Sequence, residues 1–196
     1  TGFRLLRDLT AGGMMSSSRA NYLLDTGPLR NFLNHHLKME QVQKNIDAGI
    51  IHGLSIAATN YASGTAVSFF DGQPEISPWV RSNRLGKRSP ITVEHVMASS
   101  SIPVFFPPIG IDGTYYGDGG IRLNTPLSPA IHLGAQKILA IGIRYYRSNK
   151  EVLRVNEKKM ETVSLVDISG VLLNSIFLDS LDWDLERMER INRTIH

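Results

Sequence analysis

The chain contains no cysteine. Disulfide staples and thiolate chemistry are therefore excluded, and nothing points to an oxidising compartment. No run of about 18 apolar residues is present, so a membrane-spanning helix is not expected. No charge of one sign dominates either: 21 Lys and Arg against 18 Asp and Glu leave a net charge of +3. That balance is too mild to argue for a nucleic-acid partner. The phosphate-cradling loop with Gly-Lys-Ser/Thr is missing. The run Gly117 to Gly120 fails the G-x-G-x-x-G nucleotide fingerprint, because position 122 is Arg. His35, His36, His52, His95, His132 and His196 are scattered without catalytic or metal-ligand spacing, so neither a metal nor a cofactor is expected. The serine elbow G-x-S-x-G is absent too. Its nearest match, Gly53-Leu-Ser-Ile-Ala57, lacks the second glycine and lies inside a strand pattern, which argues against Ser55 as a nucleophile. Thr1 to Arg7 has no initiator Met and no signal-peptide layout, and the chain reads as the downstream part of a larger unit.

What is present fits one folded domain. A length of 196 residues, 42% of them hydrophobic and 20% charged, suits a soluble protein with a sizeable core. No internal repeat or low-complexity segment appears. The chain is organised around Tyr115 to Arg144. There Asp118 stands between Gly117 and the pair Gly119–Gly120, where few side chains fit and the backbone can come close to another part of the fold. An acidic residue in a glycine turn between elements suits a catalytic carboxylate, or an Asx-type turn that only closes a hairpin.

The remaining elements follow from pattern. Gly2 to Leu9 is ambiguous and Thr10 to Ser18 reads as a loop. Asp25 or Thr26 caps a helix with Pro28 in its first turn, running through Leu29, Phe32, Leu33 and Leu37. A second helix spans about Glu40 to Asp47 and stops at Gly49. Ile50–Asn60 and Thr65–Phe70 read as a hairpin that turns at Tyr61 to Gly64. From Asp71 to Pro90, three prolines and the basic residues Arg81, Arg84, Lys87 and Arg88 mark a surface loop. Its charges are either simply solvated or face an anionic lipid surface. Thr92 to Ser100 is a helix with Val93, Val96 and Met97 facing the core, and Ser99 to Ser101 are helix-end caps. Ile109 to Tyr116 forms a small hairpin turning at Asp112-Gly113. Ala130 to Ala135 is a short helix, with His132 structural or on the surface. Lys137 to Ile143 is an apolar run read as a buried central strand. Tyr145 to Thr162 is charged and expected to be mobile. Ile168 to Ile195 reads as one long amphipathic helix, its stripe of Leu178, Leu181, Leu185, Met188, Ile191 and Ile195 docked on a core.

The ordered series Ala98-Ser-Ser-Ser-Ile-Pro103, Phe105-Phe106-Pro107, Tyr116-Gly-Asp-Gly-Gly120, Asn124-Thr-Pro126 and Pro129-Ala130 resembles the second half of a patatin-like phospholipase domain. Leu24-Asp-Thr-Gly-Pro-Leu29 is similar to an earlier helix start of that family, and Asn174 to Asp179 resembles the C-terminal extension of its bacterial members. The resemblance spans nearly the whole chain. It implies a three-layer α/β/α domain, incomplete at its N-terminus, over residues 1–167, with residues 168–196 as a helical extension packed on it. It implies a lipid acyl hydrolase with Asp118 as base of a Ser–Asp dyad and Gly117, Gly119 and Gly120 as supporting motif. The family's oxyanion loop and serine precede everything seen here, so the chain alone is expected to be inactive. The other reading is a non-catalytic remnant or lipid-binding module. The partners implied are a lipid or acyl ester and peripheral contact with a membrane, and the location implied is cytoplasmic.

Overall fold

The computed structural model describes residues 22–142, 149–157, 162–177 and 179–195. Thr1 to Leu9 and the loop expected at Thr10 to Ser18 lie outside them. The first helices form where capping and turn residues place them. Helix α1, Gly27–His36, carries Pro28 in its first turn. The Asp25 carboxylate accepts from Gly27 N at 2.9 Å, which satisfies one of the free donors of a helix start. Helix α2, Met39–Asp47, stops before Gly49, whose φ of +70° an L side chain rarely adopts.

Among the described residues six strands form one mixed sheet. They are β1 (Gly53–Asn60), β2 (Ala66–Gly72), β3 (Trp79–Arg81), β4 (Arg84–Arg88), β5 (Ile109–Ile111) and β6 (Thr114–Asp118). Their spatial order is β3-β4-β2-β1-β6-β5. Only β2 and β4 run parallel; the other neighbours are antiparallel. Two of the hairpins follow from their turn residues. Asn60 Oδ1 accepts from the N–H groups of Ala62 and Ser63 at 2.8 and 3.1 Å, closing the β1–β2 turn. Asp112 and Gly113 both have positive φ, 49° and 75°, as a two-residue hairpin requires.

Helix α3, Val93–Ser99, lies across β1, β5 and β6. Its Met97 and Ala98 pack with Val67, Phe69, Ile109 and Tyr116 into the main core. Phe69 meets Tyr116 edge-on, with ring centroids 5.1 Å apart. Burying a side chain such as Phe69 or Met97 contributes about 1.5–3 kcal/mol. Phe70, next along β2, points to the other face and packs with Ile76 and Trp79. Both faces of β2 are therefore covered, which fits the layered α/β class expected of the sequence.

Two expectations need correction. The stretch Asp71 to Pro90 is not a surface loop, since it contains the β3–β4 hairpin. Its prolines hid an edge that is held by one aromatic stack. Trp79 lies between Phe70, at 5.0 Å, and His132, at 4.5 Å and nearly parallel. A Cβ on the facing Gly86 would stand 2.2 Å from the Trp79 ring, so only glycine fits beneath it. The basic residues there are mostly engaged. Arg88 donates to the carbonyls of Gly72, Gln73 and Ile76, Arg84 to Thr125, and Lys87 pairs with Asp112 at 2.7 Å.

Secondly, Lys137 to Gly142 is not a strand. It carries no ladder pairing, and Leu139 and Ile141 are each 86% exposed; Ile143 lies outside the described residues. An apolar run makes a strand only where a neighbour has a free edge to pair with. Within the charged stretch that follows, helix α5 spans Asn149–Asn156. Towards the C-terminus the helical segments are α6 (Leu165–Phe177) and α7 (Asp179–Ile195), with Leu178 between them outside the described residues. Smaller shifts affect the other ends: β1 begins at Gly53 rather than Ile50, and the short helix α4 spans Ser128–His132. Of the expected stripe on α7, Leu181 and Met188 are half-buried while Leu185 and Ile191 are exposed. A polar contact also ties α7 to the fold: Asp184, 7% exposed, accepts from Leu127 N at 3.0 Å.

His95 is the buried histidine of the core, 3% exposed. Its Nδ1 accepts the Thr92 N–H at 3.1 Å, which closes the start of α3 in the place a Glu or Gln takes in a capping box. A backbone N–H can only donate, so Nδ1 is unprotonated. Burial, its largest cause, holds the imidazole pKa below the ordinary value, with Lys87 adding to the effect against Asp112 and Glu94. The sign follows. The neutral ring stabilises the fold above the ordinary imidazole range, and that contribution is lost as pH falls through the lower native value. We expect denaturant melts to show such an acid-side loss. His95→Gln, which keeps an acceptor at this position, should flatten it; an unchanged acid limb would remove His95 as its cause.

Candidate active site

Asp118 ends β6 and begins a single 3-10 turn, Gly119–Ile121. Its backbone is held from two sides. Its N–H donates to the Ser101 carbonyl at 2.9 Å, and its carbonyl accepts from Thr59 Oγ1 at 2.7 Å. Ala58 of β1 lies opposite it in the sheet ladder. The carboxylate Oδ1 accepts from Gly120 N at 2.7 Å. Among the described residues no donor meets Oδ2, so one oxygen keeps its proton-accepting lone pairs. Burial, the larger effect, raises the Asp118 pKa above the ordinary carboxylate range, against the Gly120 hydrogen bond, which lowers it. A more basic, positioned carboxylate is what a general base needs.

Close approach requires glycine at 119, where a Cβ would meet backbone, and leaves little room at 117, beneath a tyrosine side chain. A Cβ on Gly119 would stand 2.4 Å from the Ala57 carbonyl oxygen, and one on Gly117 would stand 2.1 Å from the Tyr61 hydroxyl. Tyr61 thus lies over the end of β6. Burial first, and then the Asp118 charge, raises its phenol pKa. Arg122 Nε donates to Gly64 O at 2.6 Å and fastens the same β1–β2 turn to the segment after Asp118. Thr59, Tyr61 and Arg122 were not singled out in the sequence. Only their closeness in space to the Y-G-D-G-G run marks them, and no local pattern carries that.

The other serine and histidine candidates fall elsewhere. Ser55 lies mid-strand opposite Phe70, its hydroxyl buried and without a hydrogen-bond partner among the described residues, and no elbow is formed there. Ser100 and Ser101 donate to the carbonyls of Val96 and Met97 at 3.0 and 2.7 Å, closing the end of α3 as expected. His132 stacks on Trp79, where burial and then Arg81 and Arg84 hold its pKa down.

The fold and this site define an α/β domain that presents a half-buried carboxylate from a glycine-locked turn. The profile of the patatin-like phospholipase family matches residues 9–131, well over half of the chain. The chain belongs to the patatin-like phospholipase family, whose members are lipid acyl hydrolases. Searches of curated proteins and of solved structures gave no significant match.

The contact at Gly119 yields a direct test. The Cβ of Gly119→Ala would meet backbone rather than a movable side-chain tip. We expect a stability loss of about 1–3 kcal/mol, measured by denaturant unfolding. A variant as stable as the parent would show that β6 can move away from β1 freely.

Proposed function

We propose that this protein hydrolyses carboxylic ester bonds of phospholipids or other acyl lipids through a Ser–Asp dyad. Asp118 is the base, and the serine stands on a G-x-S-x-G turn outside these 196 residues. The observation that carries the reading is the Asp118 carboxylate itself: backbone fixed, one oxygen held by Gly120, the other meeting no donor among the described residues, with burial raising its basicity. Gly117, Gly119 and Gly120 keep side chains out of the approach to it.

A serine hydroxyl is a weak nucleophile until a positioned base takes its proton. In this scheme Oδ2 of Asp118 accepts the hydroxyl proton as the serine oxygen bonds to the ester carbonyl carbon. The tetrahedral intermediate collapses, the acyl–oxygen bond of the leaving alcohol breaks, and Asp118 returns the proton to the alcohol. A water deprotonated by Asp118 then attacks the acyl-serine, and the carboxylic acid leaves while the serine regains its proton. No histidine takes part. The protein acts in the cytoplasm, peripheral to a membrane. The absence of G-x-S-x-G from these residues favours a second reading, a non-catalytic patatin fold that keeps a lipid-facing surface.

In the full-length enzyme, Asp118→Asn is expected to lower ester turnover by about 10²–10⁴-fold, the scale of lost general-base catalysis, with little change in melting temperature. Turnover should fall on acidification, because the base must be ionised, and the acid limb should lie above the pH of an unperturbed carboxylate. Near-normal turnover in Asp118→Asn would favour the non-catalytic reading or another base.

The 196 residues alone are expected to hydrolyse no p-nitrophenyl ester above the buffer rate, since they lack both the elbow and its oxyanion donors. Turnover by a chain of verified intact mass that disappears in Ser55→Ala would overturn the placement of the nucleophile.

A further inference from the structure

All four basic side chains between Arg81 and Arg88 make internal bonds, Arg81 to the Val80 carbonyl at 3.2 Å, so that stretch offers little free cationic surface. A different surface combines apolar exposure with positive charge. The N–H groups of Leu23 and Leu24 donate to the carbonyls of Val104 and Phe105 at 2.8–3.2 Å. These two stitched segments carry their apolar side chains outward: Leu23, Leu24, Val104 and Phe105 are all exposed. Val104 adopts φ of +71°, a left-handed conformation that is costly for a β-branched residue. The fold thus bears strain to hold an apolar side chain, 56% exposed, at the surface.

The Leu23–Leu24 segment leads directly into α1, which buries no residue fully. Its half-buried residues are Gly27, Arg30 and Leu33, and Leu33 packs on the core. Leu29 and Phe32 stand exposed one turn apart, 41% and 57% accessible. From Gly27 to Lys38 the chain has no Asp or Glu. Its charged and titratable residues are Arg30, which pairs with Glu94, and the exposed His35, His36 and Lys38. The nearest preceding carboxylate, Asp25, is turned back onto Gly27 N. A helix with an apolar stripe and a basic, acid-free polar side suits the interface of an anionic bilayer.

We propose that Leu23, Leu24, Leu29, Phe32, Val104 and Phe105 form a platform that seats the protein on an anionic lipid surface, with Lys38 at its rim. The proposal builds on the reading of the protein as a lipid hydrolase and names the face that meets the substrate phase. The platform is joined to the site. Val104 follows three residues after Ser101, whose carbonyl holds the Asp118 N–H.

The test is co-sedimentation of the 196-residue chain with vesicles of phosphatidylcholine containing phosphatidylserine, against pure phosphatidylcholine. The parent chain should sediment with the anionic vesicles, less so at high salt. The double variant Leu29→Ser/Phe32→Ser should bind about tenfold or more weakly, from the apolar area no longer inserted. Lys38→Glu should weaken binding to anionic vesicles only. Ile50→Ser, at an exposed residue that is not one of the platform's, should change nothing. Val104→Gly separates surface from scaffold. It relieves the backbone strain, so the melting temperature should hold or rise while lipid binding falls. The proposal is overturned if the parent stays in the supernatant with anionic vesicles, or if the platform variants sediment like the parent. A drop in melting temperature with unchanged sedimentation would equally overturn it, because protein rather than lipid would then cover these residues. Sedimentation requires no hydrolysis. A failure of the Ser–Asp reading would appear in ester turnover of Asp118→Asn and leave the vesicle result standing.

Discussion

Everything near the site depends on how closely the end of β6 approaches β1. The Ala57 carbonyl oxygen lies 2.4 Å from where a Cβ of residue 119 would be. At that separation no side chain larger than hydrogen can stand between the two chains. The close approach lets Thr59 reach the Asp118 carbonyl and lets Tyr61 lie over Gly117. It leaves Asp118 as the one residue of the Gly-Asp-Gly-Gly run with a side chain, and that side chain projects from a backbone clamped on both sides. Glycine is usually the flexible residue in a chain. Here it makes rigidity available, because its small size permits the contacts that restrain its neighbour.

The same logic explains how much could be read from the sequence. Features set by local chemistry were legible: the Asp112-Gly113 turn, the Pro28 helix start, the serine caps after α3, and the glycine turn around Asp118 as a place of close approach. Features set by a distant partner were not. The β3–β4 edge depends on Trp79 fitting over Gly86, seven residues on, and between Phe70 and His132. No window of periodicity contains that stack. The error at Lys137 to Gly142 has the opposite form: its apolar residues satisfy a strand pattern, yet nothing described pairs with their backbone. Composition supplies the wish to be buried, and only a free neighbouring edge supplies the hydrogen bonds.

Two buried polar groups show what apolar stripes leave out. The C-terminal helix carries a leucine stripe, and its fully buried described residue is Asp184, which accepts from the start of the Ser128–His132 helix. The core helix Val93–Ser99 was read through Val93, Val96 and Met97, yet its His95 is as buried as its neighbours and accepts the Thr92 N–H. Both side chains answer backbone donors that a helix leaves unpaired at its beginning. An unpaired buried donor costs about 1–3 kcal/mol, comparable to the gain from burying one leucine. A polar residue that satisfies such a donor is therefore as much a part of the packing as the apolar residue beside it.

That helix also joins regions that the sequence presents as separate. Its start is closed by His95, beside the Lys87–Asp112 pair at the sheet edge. Its end is closed by Ser100 and Ser101, and the Ser101 carbonyl carries the Asp118 N–H. Three residues further on, strained Val104 presents its side chain to solvent. A shift of the helix along its axis would therefore be felt at the carboxylate and at the exposed apolar segment together. Packed interiors resist such shifts, because the side chains on either side are already in contact. Met97 and Ala98, almost fully buried against β1 and β6, supply that resistance. The carboxylate is thereby held in a fixed relation to the exposed apolar segment around Val104.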